Sequence, residues 1–246
     1  MRRVLIVGGA NGIGLAIATA LAERDEVERV YIVDKQVVPR DYMNPKFKWY
    51  FFNLNSVDYE FFNRFTDIDG LIITAGFGDL KLFKDISEEE ISQYFQVNTI
   101  GVIRVIKRFY DRLDSQHAFP CSVMVSIAGS LSSPWLSVYG ATKAALKSFI
   151  QSVNVELRKS GSVNQILDVS PGHIDGTSFS GEETHLVEVL PLAKEILQEL
   201  EKKSDLFIPR YSEVYQEVLR RHQEDFRAEG ERSYEYKKKR YEDKHI

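Results

Sequence analysis

A chain of 246 residues is long enough for one sizeable α/β domain with a full core. Its 43% hydrophobic and 28% charged residues suit a globular protein, and a formal net charge of -4 gives no electrostatic case for nucleic-acid binding. Cys121 is the only cysteine, which excludes an internal disulfide and a cysteine-built metal site and fits a reducing, cytoplasmic setting.

The N-terminus, Arg2-Arg3 followed by the mostly apolar Val4 to Ala22, has the look of a secretion signal or a membrane span. Gly8, Gly9, Asn11, Gly12 and Gly14 divide that run into strand, turn and helix, so it reads as folded protein with no membrane role. Arg3 to Val7 is a short apolar strand, Gly8 to Gly14 has the pattern G-x-x-x-G-x-G, and Leu15 to Arg24 reads as a helix. Glycines permit a tight turn and let backbone N–H groups approach a pyrophosphate, which the helix N-terminus also favours. A plain strand-to-helix connector is the competing explanation.

Val30 to Val33 is a second strand, and it ends in Asp34, about twenty residues beyond the glycine turn, where a carboxylate can bind a ribose 2′-hydroxyl. Such a carboxylate disfavours NADP, with Lys35 offsetting part of the repulsion. A solvated strand-end carboxylate is the alternative. Phe47 to Phe52 is a third strand ending at Asn53, and Ser56 to Phe65 is predicted helical with Ser56 as its cap. Asp69 to Thr74 is a fourth strand leading into Ala75 and Gly76, small residues that let backbone pass close to a bound cofactor or simply make a turn. Ser87-Glu-Glu-Glu90 starts a helix that carries Asn98 on an otherwise apolar face. That amide either satisfies backbone at a kink or belongs to a structured polar site.

Ser122 to Ile127 is a fifth strand, so the Ser126 hydroxyl emerges at a strand's C-terminal end, where open α/β sheets bind ligands. Tyr139 to Lys159 is the next helix, and the four-residue step from Tyr139 to Lys143 puts phenol and ammonium one turn apart. A lysine cation in a desolvated cleft pulls a phenol pKa down, and a drop of roughly three units takes about 4 kcal/mol. Spacing alone favours a snorkelling surface pair; the setting of Ser126 at a strand end is what turns the reading towards chemistry. Val163 to Val169 is a sixth strand, followed by Pro171, Gly172, Ile174 and Thr177. Ser178 to Leu190 reads as a lid, with Phe179, Trp135, Leu136 and Phe77 as candidates to line an apolar pocket. His173 and His185 read as loop histidines.

Strand and helix alternate throughout the first 170 residues, which implies an α/β fold: a doubly wound parallel sheet with helices on both faces, Rossmann-like. With these residues assembled, over roughly residues 3 to 180, the chain resembles the short-chain dehydrogenase/reductase family in its compact single-domain type. The resemblance implies that Tyr139 transfers the proton, that Lys143 lowers the tyrosine pKa and holds the nicotinamide ribose, that Ser126 orients the carbonyl, and that Asn98 holds a water linking Lys143 to solvent. It also implies NAD(H) as the preferred cofactor, with NADP(H) still open. The contacts would come from Gly8, Asn11, Gly12, Ile13, Gly14, Asp34, Lys35, Asn53, Leu54, Ala75, Gly76, Pro171, Gly172, Ile174 and Thr177, besides Tyr139 and Lys143. The activity implied is interconversion of a secondary alcohol and a ketone, on a small-molecule substrate, in a homodimer.

The chain departs from the family pattern at Val7, where threonine is common, at Ile73-Thr74 in place of Asn-Asn, at Asn53 in place of aspartate, and at Gly176, where the threonine usually falls. These departures touch loop hydrogen bonds and the Thr177 contact rather than the catalytic set. The domain is expected to span residues 1–210, with Asp205 to Pro209 as a final strand and 211–246 as a charged helical extension. In that extension Val214, Tyr215, Val218, Leu219, His222 and Phe226 form an apolar stripe ahead of Gly230. The run Lys237-Lys-Lys-Arg240 is expected to be a solvated helix end. Two other readings stand beside the enzyme: a non-catalytic dinucleotide-binding sensor or scaffold, and a nucleotide-sugar epimerase or dehydratase, for which the C-terminal part is short.

Overall fold

A computed structural model describes residues 1–177 and 184–244. Seven strands form one parallel sheet in the order β3-β2-β1-β4-β5-β6-β7: β1 (Arg3–Val7), β2 (Arg29–Asp34), β3 (Phe47–Phe51), β4 (Gly70–Ile73), β5 (Cys121–Met124), β6 (Ile166–Val169) and β7 (Leu206–Phe207). The strand residues alternate between two cores, as a period of two requires. Val4 and Ile6 pack with the helices α1 (Gly12–Ala22) and α6 (Leu186–Glu201), whereas Leu5 and Val7 pack with α3 (Val102–Arg108) and α5 (Ser137–Ser160). The doubly wound arrangement read from the sequence is therefore the one found.

Register places the site. Val7 pairs with Val33 on one side and with Ile73 on the other, so the C-terminal ends of β1, β2 and β4 lie level. The chain leaves β3 at one side of β1 and returns as β4 on the other, which opens a crevice above the ends of β1 and β4.

Several elements differ from expectation. The predicted helix over 56–65 is a 3-10 segment, Tyr59–Arg64, capped by Asp58, whose carboxylate accepts from Glu60 N at 3.0 Å; Ser56 instead accepts from Asp58 N at 3.2 Å. The packing of Tyr59, Phe62 and Phe65 around Phe52 and Phe109 dictates this geometry, overriding propensity. The helix that begins at Ser87 has the full capping box with Glu90 as α2 (Glu88–Phe95), then widens into a π turn, Gln96–Gly101, before α3. A short helix α4 (Tyr110–Leu113) leads to β5. The lid expectation over Ser178 to Leu190 divides: 178–183, with Phe179, lie outside the described residues, and 186–190 are the first turns of α6, whose Val189 is buried against α1.

The extension is two helices, α7 (Gln216–Glu224) and α8 (Phe226–Lys244), after a π turn, Tyr211–Tyr215. The break falls at Asp225, which caps α8 through Arg227 N (2.9 Å) and Ala228 N (3.1 Å), so α8 runs straight through Gly230. Buried Glu229 joins the two helices, accepting from Arg221 Nε at 2.6 Å and from Arg232 Nη1 at 2.9 Å.

Candidate active site

The glycine turn is built by close approach. Gly8 has φ +92, and a Cβ there would stand 2.4 Å from Ala75 N; a Cβ on Gly14 would stand 2.1 Å from Gly8 O. No side chain fits at either place. Thr74, one of the departures from the family pattern, donates its hydroxyl to Gly8 O at 2.8 Å and so ties the turn to the end of β4. Asp34 Oδ2 accepts from Ala10 N at 3.0 Å and Oδ1 from Gln36 N at 2.9 Å, so its carboxylate is held at the edge of the turn. The Asn11 amide reaches Gln36, Lys35 is exposed, and Ile13 packs against the α1 and α6 core. Leu54 turns its side chain into the core and receives the Tyr59 hydroxyl on its carbonyl at 2.7 Å, while Asn53 caps its own turn through Asn55 N at 3.0 Å.

The loop after β6 lies opposite. Thr177 is buried, donates to Ile174 O at 2.9 Å and sits beneath Gly12, whose missing Cβ would be 3.6 Å from Thr177 Cβ. Beyond the undescribed residues, the Thr184 hydroxyl accepts from Gly12 N at 2.8 Å, and Tyr42 holds Thr184 O at 3.1 Å. The first N–H of α1 is thus matched with an oxygen, the kind of acceptor a phosphate would supply.

Ser126, Tyr139 and Lys143 meet at the C-terminal end of β5. Ser126 accepts from Ala128 N at 3.1 Å, makes a long bond to Pro171 O at 3.4 Å, and hydrogen-bonds the Tyr139 phenol. Lys143 Nζ lies 5.7 Å from the Tyr139 ring centroid and donates to Met124 O at 2.8 Å. It points at Gly76, where a Cβ would be only 3.2 Å away. Asn98 is fully buried in the π turn: Oδ1 accepts from Phe77 N at 2.9 Å, and Nδ2 donates to Phe77 O at 2.8 Å and Thr142 Oγ1 at 3.3 Å. Both readings of Asn98 are met, since it lies at an irregular turn and is also the bracket that fixes the loop after β4.

Electrostatics depart from the simple pairing of cation and phenol. Burial pushes the Tyr139 phenol up to about 12, with the Ser126 hydroxyl acting the other way. Burial likewise brings Lys143 down to about 8, opposed by the buried carboxylate of Asp168. The neutral forms of both groups are favoured by the dry setting. At neutral pH the phenol holds its proton and stands ready to give it to a basic oxygen.

Phe77 stacks on Tyr94 (centroids 4.6 Å apart) and packs with Leu136 beside Tyr139, as a pocket wall would. Trp135 turns away from them towards α8. A cleft of about 530 Å³ beside α5, between the 130–134 loop and His222, does not include Ser126 or Tyr139 in its lining, so it is separate from this chemistry.

A parallel sheet with a glycine turn at its switch point, and a serine, tyrosine and lysine at the neighbouring strand end, defines the class of dinucleotide-binding oxidoreductases. The family model described as short chain dehydrogenase matches residues 54–186, and the chain belongs to that family. An uncharacterised oxidoreductase of Saccharomyces cerevisiae is 29% identical over 194 residues, 71% of this chain and 60% of that one, so the match spans less than two thirds of that relative. Sorbitol-6-phosphate 2-dehydrogenase of Klebsiella pneumoniae is 27% identical over 192 residues, 72% of this chain and 70% of its own. Among solved structures, a short chain dehydrogenase/reductase from Burkholderia phymatum in complex with NAD superposes with a TM-score of 0.75 at 15% identity, covering 92% of this chain and 94% of that one. An alcohol dehydrogenase from Thermococcus sibiricus complexed with 5-hydroxy-NADP gives 0.69 at 22% identity, covering 85% and 95%. Among the described residues no helix is long and apolar enough to cross a membrane and no cluster of ligands suits a metal ion.

Proposed function

We propose that the chain is an NAD(H)-dependent oxidoreductase that interconverts a secondary alcohol and a ketone on a small molecule. The observation that carries this reading is the buried Tyr139 phenol, hydrogen-bonded to Ser126 with the Lys143 ammonium beside its ring, at the C-terminal end of β5, the strand next to β4. The glycine turn, Asp34 and the loop after β6 suit a dinucleotide, which when bound supplies or accepts the hydride. Asp34 favours a free 2′-hydroxyl: a carboxylate about 4 Å from a 2′-phosphate costs roughly 1 to 4 kcal/mol per charge pair. Chains of this fold hold either cofactor, NAD in the Burkholderia phymatum structure and 5-hydroxy-NADP in that of Thermococcus sibiricus.

In reduction, Tyr139 gives its proton to the carbonyl oxygen, and Ser126 exchanges its long bond to Pro171 O for a shorter one to the same oxygen, stabilising charge as it develops. Lys143 donates one proton to Met124 O and lies beside Gly76, from where its remaining protons would hold the ribose of a bound dinucleotide. Both Asn98 amide hydrogens are engaged by protein, to Phe77 O and Thr142 Oγ1, so a water leading to Lys143 would need a partner other than the Asn98 amide N–H groups.

The test is NADH and NADPH consumption across a panel of ketones with Tyr139→Phe as control. Loss of turnover by roughly a hundredfold or more, with NADH binding kept, is expected; retained turnover in the variant would sink the mechanism. Tight cofactor binding with no turnover across the panel would favour a dinucleotide-binding sensor. A cytoplasmic setting, supported by a single buried thiol, and a homodimer complete the proposal. For the dimer the proposed surface is the exposed side of α5, which carries Ala141, Ala144, Ala145, Ser148, Ser152 and Val155 at helical spacing.

A further inference from the structure

The run Lys237 to Arg240 is not the solvated helix end its composition suggests. Lys238 and Lys239 are exposed, but Lys237 and Arg240 are partly buried, because α8 lies across the two loops that flank Tyr139. On one side Trp135, nine residues after Ser126, has its ring centroid 5.7 Å from Tyr234 and 4.9 Å from Tyr241. On the other, Arg240 Nη2 lies 2.8 Å from His173 Nε2, and Tyr215 rests on Gly172, where a Cβ would fall 1.6 Å from the phenol oxygen. Lys237 is three residues after Tyr234 and four before Tyr241, so it shares the face that covers Trp135.

This roof is rich in donors and poor in acceptors. Lys237 has no hydrogen bond or ion pair among the described residues, and Arg240 has no carboxylate within 4 Å. The acidic groups nearby are committed or turned out: Glu229 to Arg221 and Arg232, Glu242 towards Lys238, Asp175 on His173 at 2.8 Å, while Glu235 and Asp243 are exposed. The Trp135 indole nitrogen is buried without a hydrogen-bond acceptor, and Trp135 is held in that place at φ +67 by Lys81 N on its carbonyl at 2.8 Å. A buried donor left unmatched costs about 1–3 kcal/mol; the Trp135 indole N–H has no acceptor, and the desolvated Lys237 ammonium has only the like charge of Arg240, three residues on, for a close electrostatic neighbour.

We infer that the substrate carries an anionic group, carboxylate or phosphate, that Lys237 and Arg240 bind beneath α8, with the Trp135 indole N–H as a third donor. The inference rests on the enzymatic reading of the Tyr139 site, since it assigns the far end of that site's substrate. Burial and the neighbouring Arg240 charge bring Lys237 down to about 8, and an incoming anion would reverse that direction.

The experiment reads binding rather than turnover, so its failure is distinct from failure of the redox assignment. In the full chain carrying Trp49→Phe, Trp135 is the only indole, and its fluorescence is followed as inorganic phosphate or acetate is added in separate titrations. A saturable change is expected, with the tighter of the two anions naming the group. Lys237→Gln and Arg240→Gln should each weaken it tenfold or more, Lys237→Arg should restore it, and Lys239→Gln, in the exposed part of the same run, should leave it unchanged. An unsaturable response to both anions, or an unaltered midpoint in Lys237→Gln, overturns the inference.

Discussion

At the scale of single residues the chemistry is governed by dryness more than by charge pairing. Tyr139 and Lys143 are shifted in opposite directions by the same burial, and each shift acts on stability with a definite sign. For Lys143 the folded value of about 8 lies below the ordinary 10.5, so between those limits the unfolded chain binds more protons and stability rises with pH. Below 8 the full cost of burying the ammonium is present. Lys143→Met is therefore expected to raise the melting temperature of the cofactor-free protein at pH 7 and to flatten its pH dependence between 8 and 10, checked by thermal unfolding across that range. For Tyr139, raised from 10.0 to about 12, the sign is reversed and stability falls only above 10. Stability given up at Lys143 is the counterpart of a proton held ready in the cleft.

At the scale of elements, irregular segments do the positioning. The π turn inserts Asn98 where its amide brackets Phe77, and Gly101, buried in the same turn, leaves room for the Tyr59 hydroxyl, 2.8 Å from where a Cβ would be. Gly129 seats the loop that follows Ser126 on α5: a Cβ there would be 2.7 Å from the Lys143 carbonyl carbon, backbone against backbone. Gly129→Ala should cost about 1–3 kcal/mol of stability in denaturant unfolding and lower turnover along with it. The α7–α8 hairpin depends on Glu229, whose carboxyl is held below its ordinary 4.5 chiefly by Arg221. A depressed carboxylate stabilises above its unfolded pKa and loses that contribution as pH falls through the folded one. Glu229→Gln should speed hydrogen exchange in α8 at pH 7, and the native hairpin should loosen in the same way only in acid. Equal protection in both proteins at pH 7 would show that apolar packing alone holds the roof.

At the scale of the whole molecule, the sheet brings together site residues from separate stretches of the chain, and α5 leaves a side of small residues, Ala141, Ala144, Ala145, Ser148 and Ser152, exposed. Light scattering on the full chain should give twice the monomer mass, and Ala144→Glu should return it to the monomer by placing a charge on that face. A wild-type monomer would remove the dimer from the proposal.

The sequence by itself determined what depends on neighbours along the chain. Short apolar runs bounded by turn residues marked β1 to β6, the glycine spacing marked the turn, and the four-residue step put Tyr139 and Lys143 on one face, because each is a local property of the chain. Contacts between distant stretches decided the rest. Whether Ser56 to Phe65 coils as α or 3-10 turned on how Phe62 and Phe65 fit the core, and Asn98 could not be placed until Phe77 stood opposite it. The direction of the Tyr139 shift needed the total burial of the site, which no spacing reports. Lys237 and Arg240 read as solvated because their own neighbours are charged. They turn inward because α8 docks by its Tyr234 and Tyr241 face, and which face of a uniformly polar helix docks is decided by the surface it meets.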